Sequence, residues 1–356
     1  MARYPLIFLG TALLAAACSS DSPLGSEADD VADTPSAEEP VVESEDSVEP
    51  ADSDSESLPI TERAHGVPLE DIHFDTFDGG SVPLSEAPPE LIARLLDAIP
   101  PIDNPSYETA SEAAWLTVDD VVLGYVDDDG EAWAYPVRIL DLHEIVNDEL
   151  AGRPVLISYC PLCGSGVVYD RKLGDETLTF SNTSALYEND LVMIDRETGS
   201  YWWQVAGRGI VGRLTDEMLT PLPAEMARWG QWTERHPDTN VLARPIGRDY
   251  SRTLFAGYAD QVDLGRTPFP VSEDVLGDER LSPGTSVIVV ERNGQNWAWP
   301  IEPASDRETV LGDLAVRVIT DGTGGRVETL DGEVMPSRTS LWFAIVASFP
   351  DVKLGS

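Results

Sequence analysis

The chain has 356 residues, of which 64 are acidic and 23 are lysine or arginine, and its formal net charge is −41. This charge argues against nucleic acid as a partner, because a phosphate backbone attracts basic surfaces and repels acidic ones. It equally argues against attachment to an anionic lipid surface through charge. No glycine-rich loop follows a predicted strand and opens a helix, so the sequence predicts no nucleotide cofactor.

The first 18 residues, MARYPLIFLGTALLAAAC, predict a lipoprotein signal peptide. The apolar stretch at 6–17 is too short to span a bilayer, and small residues precede Cys18. The segment resembles a bacterial lipobox, although Ala15 stands where leucine is usual. The resemblance implies cleavage before Cys18 and lipid attachment to its thiol; the alternative is an ordinary secretory signal cut nearby. We therefore expect an exported protein, anchored by lipid to the cell membrane or the outer membrane, with its domain in the periplasm or at the cell exterior.

Residues 19–62 are predicted to form an acidic disordered tether. They contain no lysine, arginine or histidine, and aspartate, glutamate, serine and proline recur throughout. Such a segment repels itself and buries too little apolar surface to offset the entropy of ordering. We expect it to extend between the lipid and a single globular unit at 67–352.

The globular unit is predicted to be mainly β, of the α+β class, with antiparallel strands and a few helices. Short β-branched runs alternate with turn signals about every 8–12 residues, as in all-β architectures. Apolar spacing predicts one helix over 90–99, ended by two prolines. The same criterion predicts a second, amphipathic helix over 138–150.

Two segments resemble each other and predict an internal duplication. VVLGYVDDDGEAWAYPV (121–137) and VIVVERNGQNWAWPI (287–301) each have a β-branched run, a turn containing Asp-Gly or Asn-Gly, and a Trp-Ala-aromatic-Pro ending. Both are typical of β-hairpins, and a chance resemblance between hairpins is the alternative. TSLWFAIV (339–346) similarly echoes GSYWWQVA (199–206). We predict repeat halves at about 115–210 and 280–350.

Apart from Cys18, the only cysteines are Cys160 and Cys163 in SYCPLCGSG. Apolar runs on both sides predict that the pair lies on a turn between two strands. Outside the cytoplasm two such thiols form a disulfide, bind a metal or cycle between states. No helix is predicted to follow them, so the helix dipole that lowers the thiol pKa in thioredoxin-type sites is not expected here.

The pattern Cys-Pro-x-Cys-Gly resembles the knuckle of a zinc ribbon, but the second cysteine pair that a ribbon needs is missing from the sequence. The other ligands must come from histidine, carboxylate, methionine or solvent, as in catalytic metal sites and copper sites. We therefore predict a zinc or copper ion, or a redox centre, at Cys160 and Cys163. His143 is the predicted third group.

His143 is favoured because polar residues surround it just before the strand that leads to Cys160. In the predicted helix, His143 and Asn147 are one turn apart. A satisfied surface histidine is the alternative for His143, a core residue for Met193 and a turn residue for His236. We expect the site to be surrounded by further polar or soft side chains: Glu144, Asn147, Asp148, Met193, Asp195, Arg196 and His236.

Four segments carry a family resemblance: YCPLCGSGVVYDR, AYPVRILDLHEIVND, DLVMIDRETGSYWWQ and RHPDTNVL. Together they resemble the exported bacterial and archaeal family called domain of unknown function 3179. The likeness extends over about residues 67–350. It implies that His143, Glu144, Cys160 and Cys163 belong to one motif set, and it implies no particular reaction.

Three functional hypotheses follow from the sequence. The leading one is an extracytoplasmic lipoprotein with a metal-binding or redox-active site formed by Cys-x-x-Cys and histidine. The second is a thiol–disulfide oxidoreductase or sensor. The third is a non-enzymatic envelope module with a structural disulfide, binding its ligand through an aromatic patch of Trp202, Trp203, Trp229 and Trp232. Neither Gly-x-Ser-x-Gly nor His-Glu-x-x-His occurs, so a hydrolase is not favoured, and the sequence identifies no small-molecule or protein partner.

Overall fold

The computed structural model describes residues 59–355, which fall within one compact unit. The predicted signal peptide, the lipid site at Cys18 and tether residues 19–58 lie outside this part. The end of the predicted tether differs from expectation, because Ile60–Glu62 form a 3-10 turn and Ile60 packs against the core. Within 59–355 no helix is long and apolar enough to cross a membrane.

Strands far outnumber helices in the described part of the chain. The helices are short: α1 Pro89–Leu95, α2 Val137–His143, α3 Trp229–Arg235, α4 Tyr258–Asp263, α5 Glu273–Leu276 and α6 Trp342–Ser348. The strands up to the middle of the chain are β1 Ile72–Asp75, β2 Ser81–Pro83, β3 Ile102–Asp103, β4 Tyr107–Thr109, β5 Val121–Val126, β6 Ala132–Pro136, β7 Ile145–Leu150, β8 Arg153–Cys160, β9 Ser165–Asp170, β10 Lys172–Leu173, β11 Glu176–Thr177 and β12 Phe180–Tyr187. The remaining strands are β13 Asp190–Asp195, β14 Tyr201–Trp203, β15 Arg208–Val211, β16 Ala224–Arg228, β17 Asn240–Leu242, β18 Ser286–Arg292, β19 Gln295–Pro300, β20 Ser305–Leu311, β21 Leu314–Thr320, β22 Gly325–Thr329, β23 Arg338–Leu341 and β24 Lys353–Leu354.

Three large sheets account for most of the strands in residues 59–355. The first has the order β15-β14-β13-β12-β1-β2, the second β20-β21-β22-β16-β5-β6-β17-β4, and the third β24-β19-β18-β23-β9-β8-β7-β3. Nearly all strand pairs are antiparallel, and the exceptions are β17 with β6, β24 with β19 and β3 with β7. The predicted mainly β class with a few helices is confirmed.

Both predicted helices are shorter than expected. The first ends at Leu95, and Leu96, which lies within the predicted helix, is 44% exposed. The second ends at His143, where Glu144 adopts the left-handed conformation with φ 58° and closes the helix. The chain then continues as β7, so the predicted helical pairing of His143 with Asn147 is wrong. Glycine is the usual residue at such a helix end. Because glutamate stands here instead, the sequence contains no signal that the helix ends at this point.

Both predicted hairpins are confirmed, as β5–β6 and β18–β19. They also have equivalent neighbours in the second and third sheets. β16 is antiparallel to β5 and β17 parallel to β6, while β23 is antiparallel to β18 and β24 parallel to β19. A helix of seven residues, α3 or α6, joins each outer pair of strands. The repeated unit is therefore a hairpin followed by strand, helix and strand.

This topology supports the duplication but changes its boundaries. The counterpart of 339–346 is the β16–α3 segment, with Trp229 and Trp342 starting the two helices, and not 199–206. Residues 199–206 contain β14, which pairs inside the first sheet. In the first copy the strands that carry the cysteines lie between β6 and β16, so the unit that matches the second copy extends beyond 115–210, to β17. Trp202 and Trp342 are both fully buried core residues, so a tryptophan shared by the two segments does not mark equivalent positions.

The predicted aromatic patch is not a surface. Trp202, Trp203, Trp229 and Trp232 are all less than 9% exposed, and Trp202 and Trp232 are among the largest fully buried side chains. Burying each of these large apolar side chains stabilises the fold by a few kcal/mol, roughly 2–3 each. A ligand cannot reach them in this conformation, so this form of the third hypothesis is wrong.

Candidate metal centre

Cys160 and Cys163 lie on a tight connection between two strands, as predicted. Cys160 ends β8 and pairs with Ser165, the first residue of β9. Gly164 closes the turn with φ 57°, a conformation that costs glycine little. The carbonyl of Cys163 accepts hydrogen bonds from the backbone N–H of Leu341 at 2.7 Å and the hydroxyl of Ser340 at 3.1 Å. The second repeat copy therefore holds the cysteine turn in place.

Asp190 brings a carboxylate to the two thiols. It starts β13 after a two-residue turn, in which Glu188 and Asn189 both have positive φ, 49° and 60°. Two such residues form the type I′ hairpin turn. One carboxylate oxygen of Asp190 lies 2.7 Å from the sulfur of Cys163. The two sulfurs and a carboxylate oxygen all lie within 4.8 Å of one another, and the three residues are at most 1% exposed.

Polar neighbours fix this cluster from behind. The other carboxylate oxygen of Asp190 accepts the backbone N–H of Val205 at 2.9 Å. The sulfur of Cys163 lies 3.4 Å from the hydroxyl of Ser165, which donates to the side-chain carbonyl of Gln204 at 2.6 Å. Each group has a defined position before any ion binds, which favours coordination without large rearrangement.

Burial dominates the electrostatics of the cluster. It raises the pKa of Cys160, raises that of Cys163 well above its ordinary value, and raises the pKa of Asp190 to about 6. Among neighbouring charges, Asp190 and Glu144 raise the pKa of the Cys160 thiol further. The thiols therefore retain their protons at neutral pH without an ion, and a metal ion would displace those protons on binding.

Glu144 lies beside the cluster in a strained position. Its backbone is left-handed, which is uncommon for a residue other than glycine. Its carboxylate accepts a hydrogen bond from the amide of Asn182 at 2.7 Å, and burial raises its pKa to about 8. Asn182 lies at a β-bulge in β12, and its side-chain oxygen accepts the backbone N–H of Ser184, whose φ is 59°. Backbone strain of this kind clusters at functional sites.

His143 is not the third group of the cluster. Its Nδ1 lies 2.7 Å from the carbonyl oxygen of Pro100, and its Nε2 lies 2.9 Å from the hydroxyl of Tyr250. Because the carbonyl can only accept, Nδ1 carries the proton, and Nε2 accepts from Tyr250 in the neutral ring. Burial lowers the pKa of His143, which favours that neutral form. Both ring nitrogens are occupied, so the predicted ligand role of His143 is wrong in this structure.

Asn147 and Asp148 connect strands rather than surround the cysteines. The amide of Asn147 donates to the carboxylate of Asp103 and to the carbonyl of Phe180, and its oxygen accepts the N–H of Phe180, all at 2.8 Å. The carboxylate of Asp148 accepts the hydroxyls of Tyr107 and Tyr135. Both side chains satisfy buried polar groups, which is a structural role.

The other predicted neighbours also have structural roles. Met193 is fully buried, with its sulfur 3.7 Å from the hydroxyl of Ser158. Asp195 accepts the indole N–H of Trp202 at 2.8 Å and braces the turn after β13. Arg196 pairs with Asp103 at 2.7 Å. His236 ends α3 and packs on Trp232 with ring centroids 4.2 Å apart.

The site defines a class of protein: a mainly β domain whose buried Cys-x-x-Cys turn faces a carboxylate from a neighbouring hairpin. Residues 96–351 match the family described as protein of unknown function (DUF3179), and the chain belongs to that family. The resemblance found in the sequence is thereby confirmed. No curated protein and no solved structure gives a significant match to the chain.

Proposed function

We propose that this protein is an exported, lipid-anchored metal-binding protein whose ion is held by the thiolates of Cys160 and Cys163 and the carboxylate of Asp190. The observation that carries the proposal is the convergence of three buried ligand atoms within 4.8 Å. The charged groups that act most strongly on the Cys160 thiol are the carboxylates of Asp190 and Glu144. A cation would compensate this concentration of acidic groups, which burial otherwise disfavours in charged form.

Zinc fits these ligands better than copper. Thiolates suit both Zn²⁺ and Cu⁺, whereas a carboxylate is a hard ligand that zinc accepts readily and Cu⁺ does not favour. Two sulfurs and one oxygen supply three of the four ligands of a tetrahedral zinc ion. The fourth position would be taken by water or another small ligand, as in zinc sites with three protein ligands.

Metal content tests the proposal. The full chain, produced with its signal peptide and purified from the membrane fraction, is expected to contain about one zinc per chain. The Cys160→Ser/Cys163→Ser variant is expected to retain less than about a tenth of that, because serine hydroxyls bind zinc poorly at neutral pH. Ser111→Ala, an exposed change, serves as the matched control. Equal zinc content in wild type and the double variant would contradict the proposal.

Export and lipid attachment are supported by the sequence of residues 1–18 and by the acidic segment that follows. Cys18→Ser is expected to move most of the protein from the membrane fraction to the soluble fraction, because lipid chains supply the membrane affinity. Metabolic labelling with a radioactive fatty acid measures lipid attachment, and fractionation of the same cells measures membrane association. A Cys18→Ser protein that still carries label and still sediments with membranes would refute lipidation at this residue.

Thiol–disulfide exchange is the second candidate, because Cys160 and Cys163 are free and adjacent. In this reaction the two thiols would pass two electrons and two protons to a partner disulfide. The raised thiol pKa values and the burial of both sulfurs disfavour it, since exchange requires an accessible thiolate. A reduction potential above about −250 mV would favour this candidate, whereas one below about −300 mV marks a structural disulfide.

A further inference from the structure

A second feature, distinct from the cysteine cluster, is a cavity of about 530 Å³ beside the first turn of α2. The side chains that matter for its chemistry are Trp115, Arg138, Arg244, Arg248, Asp249 and Tyr250. Its wall is largely the irregular chain 244–251, which follows β17. Nothing in the metal proposal uses this cavity.

The charge of the cavity is opposite to that of the protein. Three arginines line it in a chain that carries 64 acidic residues and only 23 basic ones. Asp249 is the one acidic lining residue, and Asp120 outside the lining pairs with Arg138 at 2.5 Å. The lining itself therefore carries three arginines against one acid, with Asp120 and Glu108 lying behind it, in a protein whose overall field repels anions.

The three arginines are held in position, but not all of their hydrogen-bond donors have partners. The Nε of Arg138 is buried and has no hydrogen-bond partner. Arg244 stacks over the ring of Trp115 at 4.7 Å, and the indole N–H of Trp115 is fixed by Glu108 at 2.6 Å. Arg248 donates one hydrogen bond, at 3.3 Å, to the carbonyl of Leu142. Each guanidinium carries five donors, and the exposed Arg244 and Arg248 keep most of theirs available for a ligand.

An aromatic residue completes the cavity. Tyr250 is 5% exposed, and its hydroxyl is bound to His143, so its ring is fixed in place. Together with Trp115 it supplies apolar surface next to the guanidinium groups. Pockets for small organic molecules combine such apolar walls with a few placed polar groups.

We propose that this cavity binds a small organic anion through a carboxylate or phosphate group. Arg138 and Arg248 bind the oxyanion, because the planar guanidinium fork matches both groups. Arg244 and Trp115 form a stacked wall against the organic part of the ligand. This site is independent of the metal centre.

Calorimetric titration of the full chain tests the site, with inorganic phosphate in one arm and succinate in the other. We expect wild type to bind at least one probe with a dissociation constant below about 1 mM. Arg248→Gln is expected to weaken that binding about fivefold or more, and Arg138→Gln/Arg248→Gln about twentyfold or more. Arg94→Gln, an exposed arginine on α1, should change it less than about twofold.

Two further comparisons make the test decisive. Cys160→Ser/Cys163→Ser should bind the probe as wild type does, which separates this cavity from anion binding at a metal. If Arg138→Gln fails to fold because Asp120 loses its partner, the exposed Arg248→Gln alone decides. The proposal is overturned if neither probe binds at 10 mM, if Arg248→Gln and Arg94→Gln behave alike, or if the cysteine variant loses binding.

Discussion

Asp190→Asn is expected to lower zinc affinity about 100-fold or more, whereas His143→Gln should change it less than about threefold. The asparagine keeps the shape of the side chain but removes the charge that lies 2.7 Å from the sulfur of Cys163. His143 is committed to Pro100 and Tyr250, so its loss affects packing rather than coordination. Competition against a chromophoric zinc chelator measures both affinities.

Comparing Asp190→Asn with His143→Gln shows whether Asp190 or His143 is the third ligand. The sequence predicted Cys160, Cys163 and His143, and the structure brings Asp190 to the cysteines instead. Asp313→Asn, which changes a highly exposed carboxylate, controls for the loss of one negative charge. Loss of zinc in His143→Gln together with normal affinity in Asp190→Asn would restore the ligand set predicted from the sequence.

The second large effect is on stability as a function of pH. The metal-free protein is expected to have its greatest free energy of unfolding near pH 4–5 and to lose several kcal/mol by pH 8. Burial raises the pKa of Asp141 and Asp190 to about 6 and that of Glu144 to about 8. Urea unfolding across this pH range measures the loss.

The direction follows from which state keeps its protons. The unfolded chain loses these protons near pH 4, whereas the folded protein retains them up to about 6 or about 8. Stability is therefore fully present below the unfolded pKa values and falls as pH rises through the folded ones. Zinc should reverse this slope, because the ion competes with protons and binds more tightly as pH rises.

Glu144 accounts for the upper part of the transition. Glu144→Gln is expected to flatten the loss between pH 6 and 8, because a neutral amide does not titrate. Glu149→Gln, an exposed change on the neighbouring strand, should leave the curve as in wild type. A metal-free protein that gains stability from pH 5 to 8 would contradict the electrostatic account of the site.

The sequence predicted the parts of the fold that depend on local turn chemistry. Asp-Gly and Asn-Gly turns between β-branched runs located both hairpins, and the glycines after Cys163 located the cysteine turn. In each case a residue able to adopt positive φ stands where the turn requires it. Such signals are readable without knowledge of the tertiary structure.

Sequence patterns did not predict the turns in which residues other than glycine adopt a positive φ. Glu144 ends α2 in the left-handed conformation, whereas the apolar pattern around it predicts a helix that continues to residue 150. Glu188 and Asn189 form the turn before Asp190, where only the asparagine signals a positive φ. Tertiary contacts hold both turns, since Glu144 binds Asn182 and Asn189 binds Tyr258.

Asp190 itself was not identifiable by spacing. It lies 27 residues after Cys163, on a different sheet from the cysteine strands. The sequence did indicate that two cysteines could not complete a metal site, and that carboxylates were among the possible partners. Among the acidic residues of 59–355, the packing of the β12–β13 hairpin against the cysteine turn selects this carboxylate.

X-ray absorption at the zinc edge of the purified, zinc-loaded protein tests the metal proposal most directly. We predict two sulfur neighbours at about 2.3 Å and oxygen or nitrogen neighbours at about 2.0–2.2 Å. In Asp190→Asn the sulfur shell should persist in whatever zinc is still bound. A spectrum with only oxygen and nitrogen neighbours would contradict coordination by Cys160 and Cys163.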